Sequence, residues 1–316
     1  MIDWTYTHFR VLMRLLAPQA LLYTEMLSTG AILNNPQKVL VFNPIEAPLA
    51  IQLGGAALDD LVKCARIAEA AGFAEINLNL GCPSPKVLAG RFGACLMAEP
   101  DHVQACIAAI KYAVNIPVSA KIRIGIDHRD SYEFFADFVH KLIDAGCDKL
   151  IIHARKAWLR GLSPKQNRTI PPINYSYVYA IKKSLPHIPM IINGDIKDIV
   201  AIKLHLEHVD GVMFGRLACL DPYAIASIHH VLYPDFLPLT RTSILEYYAN
   251  YAERAYLEGA SRSALLKPIF NFYHGIPGAR SWKLQLQHLQ QSDNFNLSDI
   301  VAKFIGASGD MCLGYP

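Results

Sequence analysis

The chain has 316 residues, 52% of them hydrophobic and 18% charged, which is enough apolar content for one large domain with a buried core and a small appendage. Its apolar runs are broken within a strand's length, as by Asn115, Lys149 and His153, which excludes a bilayer-spanning helix; no signal peptide precedes Trp4, and the expectation is a cytoplasmic protein with no membrane partner. Seven cysteines without a CxxC pair argue for reduced thiols rather than a disulfide framework or a metal site, and a net charge of +3 does not by itself require a polyanionic partner.

In chain order, a helix is predicted over residues 4–16. Short apolar, β-branched segments then recur at residues 21–26, 49–53, 75–80, 118–124, 150–154, 190–193 and 211–214, with amphipathic stretches of crossover length between them. The spacing of Leu58, Leu61, Val62, Ala65, Ile67 and Ala68 is helical, and these stretches start at Asp, Pro or Ser residues that suit caps. Strands apolar on both faces and joined by single crossovers predict an α/β fold, a (β/α)8 TIM barrel. Seven strands are counted where a barrel needs eight. Only residues 1–3 precede the first helix, so the first strand is expected to be missing from this chain. Beyond residue 238 the β pattern stops, and helices are predicted at 244–257, 264–273, 279–290 and 297–305. The expected organisation is a catalytic barrel over 1–238 and a helical domain over 239–316.

The charge is unevenly distributed. Between residues 149 and 194 lie Lys149, Arg155, Lys156, Arg160, Lys165, Arg168, Lys182 and Lys183, with no Asp or Glu. An acid-free stretch of this kind suits an approaching polyanion.

In a parallel barrel the reactive groups stand at the C-terminal strand ends. Those ends carry Gln52, then Asn79 and Cys82, Lys121 and Arg123, His153 and Arg155, Asn193-Gly194-Asp195, and Gly215-Arg216. Glycines at two adjacent ends let backbone N–H groups approach an anion, and Arg216 adds a fixed charge; the alternative is that Gly194 and Gly215 are merely tight turns. Lys121, in the middle of an apolar strand, is costly to bury unpaired and calls for a partner of negative character at the mouth, such as an electron-rich flavin ring. Gln52 and His153 suit the pyrimidine edge of such a ring, although His153 alone also reads as a satisfied core histidine. Cys82 follows a strand end and precedes Pro83-Ser84, so it is expected to overhang the mouth. Cys95 reads as buried, and Cys64, Cys106 and Cys147 as core residues on helical faces. A thiol over a flavin acts as a general acid in the reduction of an activated C=C bond.

The segments LNLGCPS, GRFGACLM, KIRIGIDHRDSYEF, IIHARKAWLRGLSPKQNR, INGDI, DGVMFGR and GIPGARSW together resemble the tRNA-dihydrouridine synthases, most closely their A subfamily, over essentially the whole chain. The resemblance implies FMN as cofactor, NADPH as its reductant and the D-loop of tRNA as partner, with uridines 20 and 20a as substrates. It implies Cys82 as proton donor, Asn79 as the holder of the base, and Gln52, Lys121, His153, Asn193, Gly194, Asp195, Gly215 and Arg216 as flavin contacts. Met1 stands where relatives end an additional strand that touches the flavin. Arg155, Lys165, Gln166 and Arg168 would meet the RNA beside the mouth, and Lys267, Arg280 and Lys283 would meet it from the helical domain. Relatives often carry arginine where Lys267 stands and a basic residue where Leu284 stands. Two competing readings are a flavin reductase of a free pyrimidine, akin to dihydroorotate dehydrogenase, and a tRNA-binding protein without catalysis. One active site per chain makes a monomer the expected state.

Overall fold

The computed structural model describes residues 1–236 and 239–308, so the expected domain boundary at residue 238 lies outside the described residues. The chain divides into two compact units. One comprises Tyr23–Phe42 and Ala47–Phe214; the other comprises Met1–Leu22, Asn43–Glu46 and Gly215–Pro316.

The first unit is built on seven strands in one sheet: β1 (Leu22–Ser28), β2 (Leu49–Gly54), β3 (Glu75–Asn79), β4 (Val118–Arg123), β5 (Lys149–His153), β6 (Met190–Asn193) and β7 (Gly211–Met213). They lie in simple sequence order, the curled parallel sheet of a TIM-barrel-like fold, with β1 and β7 as its edges among the described residues. Each predicted segment became a strand, with its ends at most two residues from those read from the sequence. β1 runs on to Ser28 because that serine caps the next helix, Thr29–Asn34, accepting from the Ala31 N–H at 3.2 Å. β2 and β3 are buried at every position, as strands covered on both faces must be. The helix Leu58–Ala70 buries Leu61, Cys64, Ala65 and Ala68, the three-and-four spacing read from the sequence. The helix Tyr132–Asp144 buries Phe135, Phe138, Val139 and Leu142, and Ser131 caps it through the Phe134 N–H.

The second unit is helical. Its first helix, Thr7–Leu16, starts three residues later than predicted, because the Trp4 and Thr5 N–H groups both donate to the Met1 carbonyl in a preceding turn. The helices Arg241–Leu257, Ala279–Gln291 and Leu297–Ser308 follow the predicted pattern. The predicted helix at 264–273 is instead a short helix, Arg262–Leu266, and a 3-10 turn, Lys267–Ile269; Pro268 cannot donate a backbone hydrogen bond there. Trp282 is fully buried, donates to the Ile269 carbonyl at 2.8 Å, and packs against Tyr273 and Phe304.

Charge, as well as apolar packing, holds the first helix in this unit. Arg10 and Arg14 are 6% and 7% exposed, and both reach fully buried Glu46: Arg10 Nε donates to its carboxylate and Arg14 Nη2 to its backbone carbonyl at 2.9 Å. Arg14 Nη1 also holds the Pro18 and Ala20 carbonyls, each at 2.7 Å. Burial pushes the Glu46 carboxyl above the ordinary range, opposed by Arg10 and by the Asn43 N–H. Removing one partner of such a pair leaves a buried charge uncompensated. Glu46→Ala is therefore expected to lower stability by about 3–5 kcal/mol. The Arg10→Met/Glu46→Met double variant should recover much of that loss, as read from urea denaturation midpoints at unchanged slope.

Candidate active site

Parallel register stacks the strand-end side chains into rows. Gln52 stands opposite Asn77, Asn77 opposite Ser119, and Ser119 opposite Lys149; one step nearer the C-terminal ends, Asn79 stands opposite Lys121. In the last row, Arg123 pairs with His153, His153 with Asn193, and Asn193 with Met213. Period-two alternation turns each of these side chains to the same face as its neighbours in the row.

The turn after β3 is organised by Asn79. Its Oδ1 accepts from the Gly81 N–H at 3.2 Å and the Cys82 N–H at 3.0 Å, while its Nδ2 donates to Gln52 Oε1 at 2.8 Å. Cys82 is half-buried just past the strand end. Its carbonyl accepts from the Ala94 N–H at 3.0 Å, and Gly93, at φ 76°, leaves no room for a side chain, since a Cβ there would lie 2.6 Å from that same carbonyl. This close approach is what the second glycine–cysteine segment does. Cys95 is half-buried rather than buried and donates to the Phe92 carbonyl at 3.2 Å. Cys64 and Cys106 lie buried on helices as read, whereas buried Cys147 lies in the turn before β5, beyond the end of its helix.

Lys121 donates to Asn193 Oδ1 at 3.1 Å, and Asn193 Nδ2 donates to the Met213 carbonyl at 2.8 Å. No carboxylate pairs with Lys121 among the described residues. Desolvation, and then Arg123, pushes its ammonium down to about 8, with the Cys82 thiolate acting in the opposite direction. Arg123, 4% exposed, donates from Nε to the Gly81 carbonyl at 3.1 Å and from Nη1 to the Asn167 carbonyl at 3.0 Å. Burial first, then Arg168 and Arg155, lowers its pKa to about 10 against the Cys82 thiolate. Arg123 thus ties the Cys82 turn to the basic loop, a role its position on a strand did not reveal.

At the end of β6, Gly194 has φ 120°, and a Cβ there would meet the His153 ring at 2.6 Å; Asp195 follows with φ 56°. The Gly194 carbonyl accepts from Tyr175 Oη at 2.7 Å. Arg155 is 6% exposed rather than displayed on the loop: its Nε donates to the Pro171 carbonyl, its Nη2 lies 3.7 Å from Asp195, and its Nη1 is buried without an acceptor among the described residues. The loop beyond it folds around Asn167, which is fully buried, accepts from the Trp158 N–H at 2.8 Å and donates to the Trp158 carbonyl at 3.0 Å. Around that hub Arg160, Lys165, Gln166 and Arg168 are exposed. Asn167 was legible only as a polar residue in a polar loop.

The remaining expected site residues belong to the helical unit. Met1 packs its thioether over Gly215, 3.0 Å from where a Cβ would be, and Arg216 opens the short helix Arg216–Leu220 on the surface. Lys267 donates to the Asp3 carbonyl at 2.5 Å and lies 4.6 Å from the centre of the Trp4 ring. Lys283 lies over Phe270, and Arg280 is exposed. No cluster of three or more metal-ligating side chains occurs among the described residues, and no helix there is long and apolar enough to cross a membrane.

A family model described as dihydrouridine synthase matches residues 1–305. The tRNA-dihydrouridine(20/20a) synthase of Vibrio parahaemolyticus is 46% identical over 308 residues, covering 96% of this chain and 94% of that protein. The proteins of the same name from Shewanella oneidensis and Escherichia coli are 46% and 45% identical, each over 90% of this chain and 86% and 87% of their own lengths.

The Lys121 shift has a measurable consequence. The folded chain releases this proton near pH 8, the unfolded chain near its ordinary value of 10.5, so the unfolded state binds more protons in between. The Lys121 contribution is fully present above the unfolded value and is lost as pH falls through about 8. The unfolding free energy of the flavin-free protein, minus that of Lys121→Met, should be flat from pH 6 to 7 and rise by about 1 kcal/mol between pH 8 and 9. A flat difference throughout would place the ammonium in an ordinary environment.

Proposed function

Because the chain belongs to the dihydrouridine synthase family, we propose that it reduces the C5–C6 double bond of uridine in the D-loop of tRNA, at positions 20 and 20a, with FMN as cofactor and NADPH as reductant. The observation that carries this reading is the Asn79–Cys82 turn: one amide side chain fixes the backbone of a half-buried thiol beside a carboxylate-free lysine.

The side chains at this mouth suit FMN and a uracil ring, both of which present carbonyl oxygens. Asn79 and Gln52 each have one amide N–H not used among the described residues, Lys121 has protons beyond the one given to Asn193, and Arg155 has a buried Nη1 with no acceptor among them. The set is rich in donors and poor in acceptors. Bound there, FMN would supply a hydride to C6 of the base. Gln52, Lys121, His153 and Asn193 would hold the ring, with the Gly194-Asp195 turn, Gly215, Arg216 and Met1 as the further flavin contacts.

Asn79 would orient the flipped-out base through a carbonyl oxygen, and Cys82 would protonate C5, its thiol proton passing to carbon as the enolate electrons return. The exposed Arg160, Lys165, Gln166 and Arg168 would meet RNA phosphates, with Arg155 bracing the base of their loop. Lys267, Arg280 and Lys283 would meet the RNA from a helical tRNA-binding domain, residues 239–316, appended to the catalytic domain, residues 1–238. The exposed basic loop favours an RNA substrate over a free pyrimidine.

Cys82→Ala is expected to keep the flavin and its visible spectrum while the single-turnover yield of dihydrouridine, from chemically reduced enzyme mixed with tRNA, falls about 10²-fold or more. Unchanged product formation would remove Cys82 as the proton donor. Charge reversal of Arg160, Lys165 and Arg168 to Glu should reduce the slope of log affinity against log salt by roughly one for each phosphate no longer neutralised. An unchanged slope in a filter-binding titration would put the RNA on another face.

A further inference from the structure

Below the mouth runs a row of buried polar groups, Glu75, Ser119 and Asn77, that the proposed chemistry does not use and that leads up to Gln52 and Asn79. Glu75, 3% exposed at the start of β3, accepts from the Ser119 hydroxyl, from the Lys149 ammonium and from Tyr23 Oη at 3.1 Å. Ser119 and Asn77 are fully buried. Asn77 Nδ2 donates to Ser119 Oγ at 2.7 Å, and Gln52 Nε2 donates to Asn77 Oδ1 at 2.9 Å. Asn79 Nδ2 then donates to Gln52 Oε1 at 2.8 Å, and Asn79 Oδ1 accepts the Gly81 and Cys82 N–H groups.

Every bond in this chain runs the same way, and the direction has one origin. A carboxylate can only accept, so Ser119 must give its single proton to Glu75 and can offer Asn77 only a lone pair. Asn77 therefore turns its NH₂ towards Ser119 and its oxygen towards Gln52. Gln52 must answer with its NH₂, which leaves its oxygen for Asn79. Asn79 is left with its oxygen towards the Cys82 turn, where two backbone N–H groups need an acceptor. Reversing any one amide would set donor against donor inside a buried row, the costly case for polar groups cut off from water.

We propose that Glu75 is a positioning residue: through Ser119, Asn77 and Gln52 it fixes the amide orientation of Asn79, and so holds the Cys82 turn and limits Asn79 to offering a donor at the mouth. On the reading of the protein as a uridine reductase, that remaining N–H meets a carbonyl oxygen of the base. The relay itself stands independently of that reading.

The test is residue-resolved amide hydrogen exchange on the flavin-free full chain, comparing wild type with Glu75→Gln and Ser119→Ala. Glu75→Gln gives Ser119 a neighbour that can donate to it, and Ser119→Ala removes the link without altering charge. Exchange at Gly81 and Cys82 should rise at least ten-fold relative to Leu80, whose N–H is held by the Lys121 carbonyl. Referencing to Leu80 cancels any global loss of stability, and either variant that folds decides the question. An unchanged ratio, or an equal rise at Ile76, Leu80, Gly81 and Cys82, would reduce Glu75 to a merely structural group and overturn the proposal. A wild-type chain that makes no dihydrouridine while the variants still release Gly81 and Cys82 would instead overturn the functional reading and leave the relay standing.

Discussion

One side-chain oxygen, Asn79 Oδ1, carries the turn on which the candidate chemistry rests. It accepts two successive backbone N–H groups just where β3 ends and the sheet stops supplying partners. Backbone donors at a strand end must be satisfied locally or by water. Using a side chain from the last strand residue keeps the turn rigid and leaves the Cys82 side chain half-exposed. Gly93 then allows the following segment to close against the Cys82 carbonyl, so the thiol is held from both sides of its backbone.

The electrostatics around this turn are one-sided. Lys121 and Arg123 are drawn into the sheet by register, with no carboxylate partner among the described residues, and Arg155 and Arg168 add to the same field. Positive charge kept without a counter-ion inside a fold is costly unless a ligand or a reaction step supplies the negative charge. The acceptor-rich edges of a flavin and a uracil, the phosphates of an RNA and a thiolate formed at Cys82 would each do so. The nearby carboxylates, buried Glu75 below the mouth and half-buried Asp195 at its rim, are already engaged with Lys149 and Arg155.

Polar networks, rather than apolar contact alone, define both compact units. In the helical unit, Glu46 gathers two arginines from one helix and fixes how the chain leaves it. In the sheet unit, Asn167 closes the basic loop on itself while Arg123 anchors that loop to the Cys82 turn. Long loops stay ordered when their backbone groups find internal partners, and here the ordering leaves the cations of the loop facing outward.

The sequence by itself determined the strands, the sheet class, the crossover helices and the identity of the residues at the strand ends, because period-two and three-and-four apolar spacing are local properties that burial on both faces amplifies. Asn79, Cys82 and Lys121 were legible against the same pattern: Asn79 ends an apolar strand, Cys82 follows just past it, and Lys121 interrupts one from within. What only the tertiary structure decided was pairing. Register brought Gln52, Asn77 and Ser119 from three strands into one row above Glu75, and no one-dimensional pattern encodes the direction of hydrogen bonds across a sheet. Likewise the helix Thr7–Leu16 reads as one more barrel helix, yet it belongs to the compact helical unit, since the deciding partner, Glu46, lies thirty-six residues away from Arg10. Arg155 reads as a loop cation and is instead buried against Pro171 and Asp195. Side-chain polarity is written in the sequence, but the partner that satisfies it is chosen only when distant segments are packed together.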